Sequence, residues 1–212
     1  MRRARLYRLD AWKLEDDICF RKNYEMLSPA RREKIDAYRF RKDKNLSLGA
    51  GILLDLGLSR YGLREKDVLI ACGPEGKPYL PEYPCIHFNL SHSEKLVLGV
   101  FAESEVGCDV EWMQQADLAL AKKYFCPGEY EYVAGQQGEQ RQKEAFYRIW
   151  TLKESFLKAT GLGFSLPLND FEIRMEENGK VTLCQQVDER NYQFEEYRLG
   201  EYQAAVCYVK ET

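Results

Sequence analysis

Apolar positions along the chain fall into two helical and several alternating stretches. From about Asp43 to Tyr61, Leu46, Ile52, Leu53 and Leu56 mark the buried side of a helix. From Lys143 to Thr160, Phe146, Ile149, Phe156 and Leu157 do the same, and Gly161 closes that helix. Ser28-Pro29 reads as the cap and first position of a further helix reaching about Phe40. Shorter helices are predicted at Leu118–Phe125 and Glu129–Ala134, with a polar loop at Gly135–Gln142. Strands are predicted at Arg5–Leu9, Val68–Cys72, Ile86–Leu90, Lys95–Phe101 as its hairpin partner, and Val106–Glu111. Gly73-Pro74-Glu75-Gly76 reads as a turn. Three closing strands, near Phe171–Met175, Lys180–Leu183 and Tyr202–Val209, and a fourth at Tyr192–Tyr197, complete an α+β pattern. No Pro/Gly/Ser-rich linker divides the chain, so any boundary near Gly107 must be tightly packed.

Composition narrows the class. The 212 residues are 45% hydrophobic and 31% charged, as in an ordinary globular protein. The basic start Met1-Arg2-Arg3-Ala4-Arg5 is followed by no apolar stretch, which argues against a secretory signal. Runs such as Leu96–Ala102 are too short to span a bilayer. Seven scattered cysteines without a C-x-x-C pair point to reduced thiols and a cytoplasmic protein, not to zinc or disulfides. The net charge of −3 hides an asymmetry: residues 1–45 carry 14 basic against 8 acidic residues, leaving −9 for the remainder. A basic segment beside an acidic one suits an anionic ligand held partly through a metal. Nucleic acid is disfavoured, because the basic residues are not interleaved with stacking aromatics.

Several residues then carry candidate chemistry. Asp109 and Glu111 are two apart in a strand, so both leave the same face. They are either an acidic strand edge or two hard oxygen ligands suited to Mg²⁺. Trp150, Glu154 and Lys158 form one stripe of the long helix; Glu154 and Lys158 are a surface ion pair or site residues, and Trp150 reads as core. Arg31 and Lys34 near the start of the Ser28-Pro29 helix oppose its dipole, at a cost of about 0.3–1 kcal/mol each; they are either a tolerated surface charge run or a pair whose cost a bound phosphate would offset. Ser91-His92-Ser93 lacks the G-x-S-x-G elbow of a serine hydrolase, which leaves His92 as a phosphate donor or a structural histidine. The glycine of Gly76-Lys77-Pro78 is either a plain turn residue or one that admits a flat base to the backbone.

Taken in order, these segments resemble the 4′-phosphopantetheinyl transferases of the surfactin-synthetase-activating (Sfp) type. The matching stretches are Ser28 to Lys34, Gly76 to Pro78, Phe88 to Ser93, Gly107 to Glu111, Phe125 to Tyr130, and Trp150 to Lys158 with Gly161 to Leu168. The resemblance implies two similar α/β subdomains forming an intramolecular pseudo-dimer. Residues 1–105 would hold the adenine and 3′-phosphate, and residues 106–212 the metal and catalytic carboxylates. It implies Asp109, Glu111 and Glu154 as ligands of Mg²⁺ (or Mn²⁺). Arg31, Lys34, Gly76, Lys77, Pro78, Ser91, His92 and Lys158 would contact coenzyme A. Glu129, Glu154 and Lys158 are the catalytic candidates, with Glu129, Glu154 or a metal-associated water as the base. Leu46 stands where relatives often carry a phosphate-binding arginine, a contact that is either lost or moved to Lys44. Cys108 should face the core, opposite Asp109.

The implied reaction moves 4′-phosphopantetheine from coenzyme A to a serine of an apo acyl, peptidyl or aryl carrier protein, in a monomer that needs neither membrane nor nucleic acid. Adenosine 3′,5′-bisphosphate is the released product. The carrier is expected to present an acidic helix, and Leu118, Lys122, Lys123, Tyr124 and Phe125 are either its docking surface or core packing with solvated lysines. A magnesium-dependent nucleotide phosphohydrolase and a non-catalytic coenzyme A or carrier-binding module are the rival readings.

Overall fold

The computed structural model describes residues 4–176 and 179–210; Met1-Arg2-Arg3, part of the basic start, lies outside them. Among the described residues the α-helices are α1 (Asp17–Tyr24), α2 (Pro29–Asp36), α3 (Arg41–Ser59), α4 (Leu118–Tyr124), α5 (Pro127–Ala134) and α6 (Glu139–Thr160). The strands are β1 (Arg5–Asp10), β2 (Ala71–Cys72), β3 (Pro78–Tyr79), β4 (His87–Ser93), β5 (Leu96–Ala102), β6 (Val106–Trp112), β7 (Glu172–Met175), β8 (Val181–Cys184), β9 (Tyr192–Leu199) and β10 (Tyr202–Val209).

Two three-stranded antiparallel sheets, ordered β1-β5-β4 and β6-β10-β9, each carry one long helix. Period-two alternation divides the labour of every central strand. On β5, Leu96, Leu98, Val100 and Ala102 meet Val106, Cys108, Val110, Ala204 and Val206 of the other sheet in one shared core. The opposite face of β5 turns Val97 and Phe101 to α3, which buries Leu46, Ala50, Leu53, Leu54 and Leu58 there. On α6, Ala145, Phe146, Ile149, Leu152, Phe156 and Ala159 recur every three to four positions and pack on Ala205 and Cys207 of β10. The result is helix, sheet, sheet, helix: the α+β architecture of two similar halves. Side chains of β4 stitch the seam between the sheets. Asn89 Oδ1 accepts from Cys108 N at 2.9 Å, and Ser93 Oγ accepts from Trp112 N at 3.0 Å.

The departures from the sequence reading have local causes. The helix capped by Ser28, whose Oγ accepts from Arg31 N, ends at Asp36, because Ile35 is its only buried residue. The stretch 68–72 is a strand only at its last two residues. The polar run 135–142 is not all loop: Gly138, at φ +87°, starts α6 four residues earlier than predicted, with a solvent-facing first turn. Among the described residues no helix is long and apolar enough to cross a membrane, and all seven cysteines are free.

Candidate active site

Gly107 decides how β6 and α6 meet. A Cβ there would lie 2.2 Å from Ser155 O, 2.3 Å from Ala159 N and 2.7 Å from Lys158 C, so the helix backbone rests directly on the strand. With the helix that close, Lys158 reaches over β6. Its Nζ donates to Asp109 Oδ1 at 2.6 Å and to Ser91 Oγ at 3.2 Å, and Ser91 Oγ itself donates to Asp109 Oδ1 at 3.0 Å. Ser93 Oγ donates to Glu111 Oε2 at 2.8 Å. The ion pair open to Glu154 and Lys158 from their spacing does not form: Lys158 pairs with Asp109, and Glu154 has no ion pair among the described residues.

Three carboxylates therefore crowd one lysine. Asp109 is 3% exposed, and its Oδ2 is buried without a hydrogen-bond partner. Burial, then the charge of Asp109, pushes the Glu111 carboxyl up to about 7, and the same two causes raise Glu154. Burial opposes the charge of Lys158, yet pairing with Asp109 lifts its pKa above the ordinary lysine value. An orphaned carboxylate oxygen and two carboxyls penalised for ionising make a site that fits a divalent cation. Among the described residues no group of three or more His, Cys, Asp or Glu side chains is placed to hold a metal ion by itself; Mg²⁺ needs only one or two carboxylates and completes its shell with phosphate and water.

The raised Glu111 gives a sign to pH dependence. A carboxyl that holds its proton more tightly folded than unfolded stabilises the metal-free fold at low pH and loses that contribution as pH rises through its folded value. The melting temperature of metal-free wild type, relative to Glu111→Gln, is expected to fall between about pH 4.5 and 7. Stabilisation by added Mg²⁺ is expected to grow over the same window. A difference independent of pH would refute the shift.

His92 faces away from this cluster. It shares the β4 face of Phe88 and Leu90, turned to α3, while Ser91 shares the face turned to β6. Solvent reaches the ring, but its surroundings remove enough water to lower its pKa, helped by Lys158 and Lys34 and opposed by Asp43. Lys158 and Lys34 thus both act on the His92 ring electrostatically. Lys34 is exposed and has no ion pair among the described residues. Arg31 is 12% exposed, with Nε 3.7 Å from Glu65 Oε1 and, among the described residues, no hydrogen bond at its terminal nitrogens. Glu65, 1% exposed, also accepts from Ser28 N and Oγ at 2.7 and 2.8 Å, which fixes the start of α2.

Gly76, at φ +82° in the 73–76 turn, and Pro78 at the start of β3 bracket Lys77. The Lys77 ammonium is not free: it bonds Glu105 Oε2 at 2.8 Å and Ala159 O at 2.9 Å. Any contact of Lys77 with a ligand falls to its backbone and stem. Leu46 is 6% exposed in the core beside Ala50 and Val97, so it offers nothing to a phosphate. One residue not nominated from sequence stands out in its place. Ser47 is 5% exposed and its Oγ has no partner. It lies one turn before Gly51, whose missing Cβ would meet Arg31, so it shares the α3 face turned to α2. A serine within a helix carries no sequence mark of this kind; only the packing of α2 on α3 reveals it.

Glu129 lies in a buried ion pair. It is 1% exposed, and its carboxylate is fully engaged by Lys153 Nζ, Ile173 N at 2.7 Å and Cys126 N at 2.8 Å. Lys153, wholly buried, also donates to Phe171 O at 2.7 Å. Both carboxylate oxygens are thus occupied inside the C-terminal half, where Glu129 is the buried partner of Lys153. Glu129→Gln is expected to cost about 3–5 kcal/mol of stability by stranding Lys153. Adding Lys153→Met should recover part of it. Denaturant unfolding of the three variants checks this; a Glu129→Gln protein as stable as wild type would refute it. Phe125 also moves from candidate docking residue to core, stacked on Phe146 with centroids 5.6 Å apart. Lys122, Lys123 and Tyr124 remain exposed.

Comparison with known proteins decides the family. Residues 105–207 match the sequence model of the 4′-phosphopantetheinyl transferase superfamily, and residues 11–104 match that of the 4′-phosphopantetheinyl transferase N-terminal region. The 4′-phosphopantetheinyl transferase Sfp of Bacillus subtilis (strain 168) is 34% identical over 158 residues, covering 74% of this chain and 70% of that protein. The chain belongs to the 4′-phosphopantetheinyl transferase family. A second family member, the 4′-phosphopantetheinyl transferase psf-1 of Bacillus pumilus, is 34% identical over 198 residues, 91% of this chain and 84% of that one. Among solved structures, the holo-[acyl-carrier-protein] synthase of Thermotoga maritima aligns at 23% identity and a TM-score of 0.44, over 51% of this chain and 64% of that one. The transferase family and the α+β fold agree with the reading of the sequence.

Proposed function

We propose that this transferase moves 4′-phosphopantetheine from coenzyme A to a serine of an apo carrier protein, releasing adenosine 3′,5′-bisphosphate. The observation that carries the reading is the unpartnered Oδ2 of Asp109 amid Glu111, Glu154 and Lys158. Residues 106–212 form the metal and catalytic subdomain on this reading, and residues 1–105 the nucleotide side. Asp109, Glu111 and Glu154 would hold Mg²⁺ or Mn²⁺, which when bound neutralises the pyrophosphate and polarises the attacked phosphorus. Lys158 and His92 add fixed positive charge or donors where charge develops on the leaving phosphate. Ser91 keeps Lys158 and Asp109 in register and is not a nucleophile, since the attacking hydroxyl comes from the carrier.

With both oxygens of Glu129 occupied, Glu154 or a metal-associated water is left to take the serine proton. The raised pKa of Glu154 belongs to the metal-free protein, and a bound cation would make it a weaker acceptor. Arg31, Lys34 and Ser47 take the 3′-phosphate, and Gly76, Lys77 and Pro78 line the adenine. Lys122, Lys123 and Tyr124, exposed at the end of α4, meet the carrier. The protein acts as a cytoplasmic monomer.

Arg31→Ala is expected to raise KM for coenzyme A about tenfold, the loss of a charged hydrogen bond, and to leave KM for the 3′-dephospho form nearly unchanged. Equal effects on both donors would remove the 3′-phosphate assignment. Product analysis separates transfer from hydrolysis: adenosine 3′,5′-bisphosphate should accumulate with Mg²⁺ only when an apo carrier is present. Its steady release without a carrier would instead support a phosphohydrolase.

A further inference from the structure

Glu105 lies in the connection between β5 and β6, where the chain passes from one sheet to the other. Its backbone belongs to the second sheet: its carbonyl accepts from Val209 N at 3.0 Å, and neighbouring Ser104 Oγ donates to Val209 O at 2.9 Å. Its carboxylate reaches back into the first half. Oε2 accepts from Lys77 Nζ at 2.8 Å, and Oε1 lies 3.4 Å from His87 Nδ1. These contacts hold the carboxyl down at about 2, with His87 the larger influence and Lys77 the next favourable one, against the opposing effect of burial.

Lys77 Nζ continues to Ala159 O in the last turn of α6, where a cation also complements the helix dipole. The turn beside it is in contact with the same region. A Cβ at Gly161 would lie 3.3 Å from Lys77 Cδ, and one at Gly163 would lie 3.3 Å from Glu75 Cβ. The 73–77 turn of the first half is therefore seated on the C-terminal end of the helix that carries Glu154 and Lys158. The phosphoryl-transfer step uses neither Glu105 nor His87.

We propose that Glu105 is a positioning residue that latches the nucleotide-side turn to α6 through Lys77. The latch fixes the spacing between the Gly76–Pro78 backbone and the Asp109–Lys158 cluster, and so sets where the nucleotide end of coenzyme A sits relative to the reacting phosphorus. The proposal rests on the coenzyme A reading of this turn. Because Glu105 acts through Lys77 and not on the reacting atoms, its loss weakens nucleotide binding more than it slows chemistry.

The test compares the full chain with Glu105→Gln, Lys77→Met and the double variant. Adenosine 3′,5′-bisphosphate binding is measured by calorimetry, KM and kcat by carrier modification, and amide hydrogen exchange over residues 73–79 without ligand. Expected for Glu105→Gln are about tenfold weaker binding and higher KM for coenzyme A, with kcat within about threefold of wild type. The double variant should bind no more weakly than either single one, because both remove the same latch. Exchange over 73–79 should quicken while the interior of α6 is unchanged. Unaltered affinity, additive effects of the two substitutions, or an equal loss in kcat would overturn the proposal. A wild-type chain that fails to bind the bisphosphate would overturn the coenzyme A reading and the proposal with it. Wild-type binding with an indistinguishable Glu105→Gln would overturn the proposal alone.

Discussion

Asp109→Asn is expected to lower carrier modification about a hundredfold to a thousandfold while leaving the fold intact. The loss follows from position. Asp109 is the only carboxylate of the cluster that meets both Lys158 and Ser91, and its free oxygen is the one buried carboxylate atom without a partner among the described residues. Removing its charge withdraws the central ligand and frees Lys158, a change of the size seen when one preorganised group is lost from a transition-state site. The fold should survive for an electrostatic reason. The charge of Asp109 is among the causes that raise both Glu111 and Glu154, so its removal relieves crowding as it breaks the pair with Lys158. The check pairs turnover with Mg²⁺ against circular dichroism and melting. Near-normal turnover would sink the metal assignment.

Gly107→Ala is expected to have an effect of similar size on activity by a mechanical route. Contacts of 2.2, 2.3 and 2.7 Å from the added Cβ are all to helix backbone, which has no flexible end to swing aside. The helix must retreat by roughly 1 Å, a misplacement that costs about a hundredfold when the moved groups serve the chemistry. Overpacking adds about 1–3 kcal/mol of destabilisation. Unlike Asp109→Asn, this variant should lower both the melting temperature and the turnover. An alanine variant that melts and turns over like wild type would show that α6 is not held by this contact.

These two residues also mark what is legible in the sequence. The D-x-E alternation alone places Asp109 and Glu111 on one face of β6, and the Phe146–Leu157 periodicity alone locates most of α6. The order of the motifs carries the family. Local patterns do not carry partners from elsewhere in the chain. Glu129 reads as catalytic because its motif position is visible, whereas Lys153, which neutralises it from 24 residues away, meets it only in the packed core. Lys158 reads as a partner for Glu154 at one helical turn, and tertiary packing gives it to Asp109 instead. Helix α1 leaves only a weak periodic signal, because it buries no residue fully and its stripe is short: Cys19, Phe20 and Tyr24, half-buried against Leu14, Leu27 and Leu48. Ser47 and Glu105 are silent for the same reason as Lys153: their meaning lies in α2 against α3 and in one sheet against the other.

The central claim is transfer to a carrier, and the mass of the carrier tests it most directly. An apo carrier incubated with the protein, coenzyme A and Mg²⁺ should gain one phosphopantetheine on its serine, and should gain nothing when the metal is chelated. Carriers from fatty-acid, polyketide and peptide assembly systems, all left at their apo mass while coenzyme A remains available, would contradict it.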